Sequence, residues 1–262
     1  MRRSKAYPGT QSVQRALSLL RIFTDAQPSW TLRDLAKRTK LNKTTLFRLL
    51  TALESEGLIV RDPVSETFRL GPEVIALGGR ALRSNPLQTI SRDELKSLAE
   101  KTRETATLEV LSGRDVVIVD EITGDRLLGG VAWIGTRWPA FATSTGLAIL
   151  ASLPPQEASE ILKTPLSQIT PKTITSPDQL RKEFQSIRQR GYAVADEALE
   201  LGFLAVGAAI LNHDGIVAGA LSIGGPKIRL TSERIGELGT IVRNAAGRIS
   251  TKLGYRPGKE SS

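Results

Sequence analysis

Residues 31–57 hold two amphipathic segments joined by a four-residue turn at 39–42. In the second segment Leu46, Leu49, Leu50 and Leu53 fall at i, i+3, i+4 and i+7. One apolar stripe therefore packs inward, and the opposite face turns Lys43, Thr44, Thr45 and Arg48 outward. In the first segment Leu32, Leu35 and Ala36 repeat at helical spacing, with Thr31 placed to cap the helix and Asp34 placed as the acid of a capping box. Leu41 pins the turn, and Asn42 is positioned to cap the second helix. An αα-hairpin in a helical bundle has the same skeleton. The basic residues crowding the outward face favour a helix-turn-helix that reads DNA.

The next segment strengthens that reading. Residues 58–70 form two β-rich runs around Asp62, Pro63, Val64 and Ser65, a hairpin signal, and a helix-turn-helix followed at once by a hairpin is a winged helix. The wing places Arg61, Thr67 and Arg69 near a phosphate backbone or minor groove. Upstream, residues 12–23 predict a third helix capped by Ser12, with Val13, Ala16, Leu17, Leu20 and Phe23 on its inner side. Arg2, Arg3 and Lys5 ahead of Pro8 and Gly9 read as a disordered basic arm over residues 1–10; no apolar run follows them, which argues against a targeting peptide.

Charge is divided accordingly. Residues 1–84 carry 15 basic and 7 acidic side chains, a net of +8, whereas the remainder of the +9 chain is almost neutral. A basic domain on a neutral chain is the electrostatic footprint of a nucleic-acid binder. At 262 residues, 40% hydrophobic, the chain is long enough for two cores. It has no apolar run long enough to span a membrane, and the absence of cysteine excludes disulfides, a thiol nucleophile and a Cys-based zinc site, so a cytoplasmic protein is expected.

Residues 72–85 read as a linker helix ending near Ser84, Asn85 and Pro86, in which Val74, Leu77 and Leu82 offer apolar surface for pairing two subunits; a plain spacer is the alternative. Beyond it, residues 91–102 predict a helix, 107–111 and 116–122 two strands, and 143–153 a helix. Residues 176–190 predict a charged helix with Ser176 as cap and Pro177 in its first position. Strands at 203–211 and 216–223 flank an Asn212 to Gly215 turn, and a last helix at 231–253 carries Ile235, Leu238, Ile241, Val242 and Ala245. Hairpins covered by helices give an antiparallel α+β sheet.

The run Ser12-Val-Gln-Arg-Ala-Leu-Ser-Leu-Leu, then Lys43-Thr-Thr-Leu-Phe-Arg-Leu-Leu-Thr-Ala-Leu-Glu and Phe68-Arg-Leu-Gly, resembles the winged-helix domain of the IclR family of bacterial transcriptional regulators. Pro139-Ala-Phe-Ala-Thr-Ser-Thr-Gly, Gly191-Tyr-Ala-Val-Ala-Asp-Glu, Ala220-Leu-Ser-Ile-Gly-Gly-Pro and Arg229-Leu-Thr resemble that family's effector-binding domain. The resemblance implies an N-terminal winged helix-turn-helix over 11–71, the linker helix over 72–85, a GAF-like α/β effector-binding and oligomerisation domain over 86–254, and a disordered tail over 255–262. It also implies double-stranded DNA, in the form of a palindromic operator, as partner, a small organic acid as effector, and assembly as a homodimer or dimer of dimers.

The residues expected to meet DNA are Thr31, Lys43, Thr44, Thr45, Phe47, Arg48, Arg61, Thr67 and Arg69. By position in the family's motifs, effector contacts fall on Ser144 and Thr145 at a helix start suited to a carboxylate, on Ala195 or Asp196, and on Ala205, Ser222 and Gly224. Leu127 and Gly130 fall where the family places an apolar wall. Trp133, Trp138 and Phe141 either shape the same cavity or pack in the core, and Ser144 and Thr145 could serve as a helix cap alone. The chain departs from the family in having Ala195 before Asp196, Leu147 after the helix-start glycine, and Gly224 where a second serine is common. Fewer polar groups predict a larger or less polar ligand than a two- or three-carbon keto acid, for example an aromatic acid.

No catalyst, metal site or cofactor is expected. The single histidine, His213, falls in a hairpin turn, no serine stands in a nucleophile elbow, and the adjacent acids Asp120–Glu121 and Asp196–Glu197 point to opposite faces of a strand. An architectural DNA binder whose second domain only oligomerises, or an enzyme tethered to DNA, remain as other classes.

Overall fold

The structure is a computed structural model and describes residues 10–124 and 134–256. The chain divides into two compact units between Ser84 and Asn85.

The first unit contains α1 (Gln11–Leu20), β1 (Ser29–Thr31), α2 (Leu32–Thr39), α3 (Lys43–Ser55), β2 (Ile59–Arg61), β3 (Thr67–Leu70) and α4 (Pro72–Arg83). Leu35, Leu46, Leu50 and Ile59 close over Leu19 and Phe68 in one core. Burial of each such leucine is worth roughly 1.5–3 kcal/mol. Local caps set the helix starts: the Thr31 hydroxyl accepts from the Asp34 amide at 3.2 Å, and the Asn42 side chain accepts from the Thr45 amide at 2.7 Å. The Asp34 carboxylate accepts from the Thr31 hydroxyl at 2.8 Å, a variation on the expected capping box, in which the acid would reach the cap's backbone amide. The tight turn is made by Lys40 at φ +57°.

Three expectations for this unit are corrected. Helix α1 is preceded by Thr10, not capped by Ser12, which lies inside it. Val13 and Leu17 face outward, and Leu19 takes their expected place in the core, because the face that α1 turns to α3 is rotated from the one the apolar count selects. The sheet is three-stranded in the order β1-β3-β2, so residues 29–31 add a strand, with Trp30 opposite Phe68, that no local pattern announced.

The second unit contains α5 (Pro86–Thr102), β4 (Thr105–Ser112), β5 (Asp115–Ile122), β6 (Arg137–Pro139), α6 (Ser144–Ser152), α7 (Pro155–Leu162), α8 (Pro177–Arg190), β7 (Ala193–Asp196), β8 (Phe203–Leu211), β9 (Val217–Pro226) and α9 (Ile235–Lys252). The strands form one antiparallel sheet in the order β6-β5-β4-β9-β8-β7. Gly207 and Gly219 lie on its opposite faces. A methyl group at Gly207 would meet Ser144 of α6, and one at Gly219 would meet Leu87 of α5. Helices therefore cover both faces, α5 and α9 on one and α6 and α8 on the other.

Helix α5 starts at Pro86 rather than at Ser91, because Asn85 accepts from the Leu87 amide at 3.1 Å and proline suits the first helical position. The last helix opens with a 3-10 turn at Ser232–Arg234, so its α-helical part begins later than the expected residue 231. Helix α7 was not foreseen. Ser176 caps α8 as its sequence announces, and the Asn212 side chain closes the β8–β9 turn by accepting from the Asp214 and Ile216 amides, both at 3.0 Å. Among the described residues no helix is long and apolar enough to cross a membrane.

Candidate functional site

In the first unit the burial of Leu46, Leu50 and Leu53 orients α3, leaving Lys43, Thr44, Phe47 and Arg48 exposed. Phe47 is 51% exposed, which is unusual for a large apolar side chain. Thr45 is half-buried, its amide held by Asn42. Thr31 is likewise half-buried and engaged with Asp34.

In the wing, Asp62 accepts from the Val64 and Ser65 amides at 2.8 and 2.9 Å. The Ser65 and Val64 amides hold its carboxyl below the usual carboxylate range. Thr67 and Ser65 share a hydroxyl hydrogen bond of 2.8 Å, and Arg69 is exposed. Arg61 is also exposed, but its guanidinium is ion-paired with Glu66 and lies 5.8 Å from the Phe68 ring centre. Its charge reaches a phosphate only by leaving that carboxylate.

The second unit holds a partly open cavity of about 430 Å³. Helix α6 supplies one wall. Thr143 accepts from the Gly146 amide at 3.0 Å, which starts the helix with Ser144 and Thr145 in its first turn, where backbone amides lack intrahelical acceptors. Two glycines allow the close approach. A methyl group at Gly146 would stand 2.1 Å from the Ala140 carbonyl oxygen, and one at Gly207 would stand 2.9 Å from the Ser144 carbonyl carbon.

Of the effector residues named from sequence, Ser144, Thr145, Ala195, Ala205, Ser222 and Gly224 all line this one cavity. Asp196 does not. Alternation along β7 turns Ala195 inward and Asp196 away from the cavity, where it pairs with Lys227 at 2.7 Å. Trp138 lines the cavity, whereas Phe141 packs into the core formed by α6 and α8. Leu127, Gly130 and Trp133 lie outside the described residues, as do residues 1–9 of the expected arm and 257–262 of the expected tail.

The polar floor comes from β4, which sequence reasoning passed over. Thr105, Thr107 and Glu109 all face the cavity, while the intervening Ala106 and Leu108 are buried on the other side. Glu109 accepts from the Thr145 hydroxyl at 2.6 Å and from the Thr107 hydroxyl at 2.9 Å. With the Thr107 proton so directed, Ser222, 2.8 Å away, donates to Thr107. Burial pushes the Glu109 carboxyl up, against the hydrogen bonds from Thr145 and Thr107. The expectation of a pocket poor in polar groups is therefore corrected, because the polarity arises on a strand far from the motifs that carried it. Ile118 of β5, beside Glu109, together with Trp138, Leu199 and Phe203, gives the same cavity an apolar lining.

A raised carboxyl has a measurable consequence. Between its unfolded and folded titration points the native state holds the extra proton, so stability falls as pH rises through that window. In urea unfolding, the wild type is expected to lose stability relative to Glu109→Gln as pH rises through the Glu109 titration. A pH-independent difference would show that burial does not perturb this group.

Among the described residues no group of three or more histidine, aspartate and glutamate side chains is placed to hold a metal ion. His213 is 70% exposed in its turn, 3.3 Å from Asp214. A winged helix joined to a domain that holds an amphipathic small-molecule cavity is the architecture of a DNA-binding transcriptional regulator with an effector-binding domain.

Residues 12–63 match the IclR helix-turn-helix domain, and residues 79–251 match the bacterial transcriptional regulator IclR C-terminal domain. The chain belongs to the IclR family of bacterial transcriptional regulators. It is 32% identical to the HTH-type transcriptional regulator KipR of Bacillus subtilis over 94% of this chain and 98% of that protein. Among solved structures, a putative IclR transcriptional regulator from Silicibacter matches with a TM-score of 0.85 and 27% identity over 96% of this chain and all of the other. An IclR homologue from Microbacterium hydrocarbonoxydans, complexed with 4-hydroxybenzoate, matches with a TM-score of 0.76 and 26% identity over 93% and 99%. The winged helix and the GAF-like antiparallel sensor fold implied by the sequence motifs are thus the architecture found.

Proposed function

We propose that this protein acts in the cytoplasm, binds a palindromic operator as a homodimer or dimer of dimers, and changes its affinity when a small organic acid with an apolar, aromatic-sized body occupies the C-terminal cavity. The observation that carries this reading is the cavity itself, which Ser144 and Thr145 at the start of α6 line together with the apolar Trp138, Leu199 and Phe203. The size of the space suits a ring better than a three-carbon acid. The 4-hydroxybenzoate complex of the Microbacterium relative supports the same ligand class.

On DNA, Arg48, Thr44, Thr45 and Phe47 enter the major groove; Arg is suited to guanine and Phe to a thymine methyl group. Lys43, Arg69 and a released Arg61 meet phosphates, with Thr31 and Thr67 at the edge of the same surface. In α4, Ile75 is 78% and Leu77 48% exposed, and this exposed apolar surface supports pairing between subunits. An effector that favours one arrangement of the paired sensors shifts the reading helices relative to half-sites about 34 Å apart.

Footprinting of the DNA upstream of the protein's own gene, with and without a panel of aryl and 2-oxo acids, tests this reading. A protected palindrome that one acid alters is expected; protection indifferent to every acid would favour a domain that only oligomerises. Arg48→Ala is expected to cost about 1–3 kcal/mol and to relax sequence preference, whereas Lys43→Ala weakens all sequences alike and flattens the salt dependence. An unchanged footprint for Arg48→Ala would refute the base contact.

A further inference from the structure

The cavity has an electrostatic peculiarity. Its charged lining residues are both acids, Glu109 and Glu200, and among the described residues no lysine, arginine or histidine lines it. The helix start that would receive a ligand's carboxylate already faces an internal carboxyl group, since Glu109 Oε2 accepts from Thr145 in the first turn of α6. Resting on the effector reading above, we propose that Glu109 is a specificity residue that admits an acid only together with one proton, shared between the ligand's carboxyl group and its own.

Among the described residues the elements packed against Glu109 bring no cation to it, and Glu121 of β5, paired with Thr107, lies on the same face of the sheet. Helix α6, strands β8 and β9 and the 3-10 turn Ala140–Ala142 carry no titratable side chain. On β5, Asp120 lies opposite Leu108, on the face away from Glu109, and is paired with Arg92 of α5. Asp115, at the far end of β5, pairs with Arg137 of β6 at 3.6 Å. Glu104, ahead of β4, is held by Arg229 at 2.6 Å, and Asp196 of β7 is held by Lys227.

A second carboxylate brought beside a 5% exposed one would place two like charges in a medium of low dielectric, where one of them takes up a proton. Burial has already moved Glu109 toward that state. The hydroxyl chain allows it without heavy-atom movement: rotation of the Thr107 and Ser222 hydroxyls reverses their hydrogen bond, so that Glu109 can donate instead of accept. The proton comes from the buffer.

The test is calorimetric titration of the full-length protein with benzoate, 4-hydroxybenzoate, phenylacetate, pyruvate and glyoxylate, each in buffers of different ionisation enthalpy. The expected result is uptake of about one proton per acid bound, with the dissociation constant weakening about tenfold per pH unit above the Glu109 titration. Glu109→Gln should bind the same acid without uptake and without that pH dependence. Binding by the wild type without proton uptake, or uptake undiminished in Glu109→Gln, overturns this proposal and leaves the effector reading standing. No binding of any acid by either protein overturns both. Should Glu109→Gln fail to fold, the buffer dependence of the wild type decides alone.

Discussion

Arg229→Met is expected to destabilise the C-terminal unit by about 3–5 kcal/mol, the cost of leaving a buried charge without its partner. Glu104, 3% exposed, receives the Nε and Nη2 groups of Arg229 at 2.6 Å each, in the two-pronged geometry that suits guanidinium and carboxylate. The pair links the chain just before β4 to the chain just after β9, two neighbouring central strands. Gly225 contributes by having no side chain, since a methyl group there would come within 2.3 Å of the Glu104 carboxylate. Urea unfolding of the single and double variants checks the claim. Glu104→Gln combined with Arg229→Met should recover most of the loss, because the penalty belongs to the orphaned charge rather than to the missing bond. Equal losses in the single and double variants would assign the effect to packing.

Gly146→Ala is expected to cost about 3 kcal/mol and to abolish the response of DNA binding to effector. The added carbon would lie 2.1 Å from the Ala140 carbonyl oxygen and 2.4 Å from its Cα, both backbone atoms that no rotamer change can move aside. Relief requires α6 to lift from the 3-10 turn, carrying Ser144 and Thr145 out of the cavity wall. Gly247→Ala in α9 is the matched control. Nothing lies within 4 Å of a methyl group there, so helix propensity alone should make it neutral or stabilising by about 0.5–1 kcal/mol. Unfolding midpoints for both, with footprints at saturating ligand for Gly146→Ala, decide the matter; a Gly146→Ala protein as stable and responsive as wild type would contradict the close approach of α6 to Ala140.

Much of this fold was legible in the sequence because it is determined locally. Thr31, Asn42 and Ser176 cap helices with their own side chains, and the Asn212 turn carries its hydrogen bonds within five residues. What escaped depends on distant partners. Residues 29–31 are a strand only because β3 returns beside them, and Ser12 looks like a cap until the register of α1 against α3 is known. The cavity followed the same rule. Its α6 and β9 residues were found through family motifs, but Glu109 was missed because an acid in a strand normally faces water. A signal was present in the alternation of Thr105, Thr107 and Glu109 against Ala106 and Leu108. Its meaning needed the packing of α5 and α6, which cover the two faces of β4.

That strand order also bears on how such a pocket changes over generations. Strand β4 lies between β5 and β9, hydrogen-bonded on both sides, so its amides should exchange with solvent only when the whole domain opens. Glu109 and Thr107, proposed above to judge a ligand's charge, are therefore built into the slowest-opening part of this domain. The apolar lining residues Trp138, Leu199 and Phe203 come from an edge strand, a turn and a strand end. On the proposed reading, exchange of those one at a time would change the ligand accepted while the chemistry of recognition is inherited unchanged.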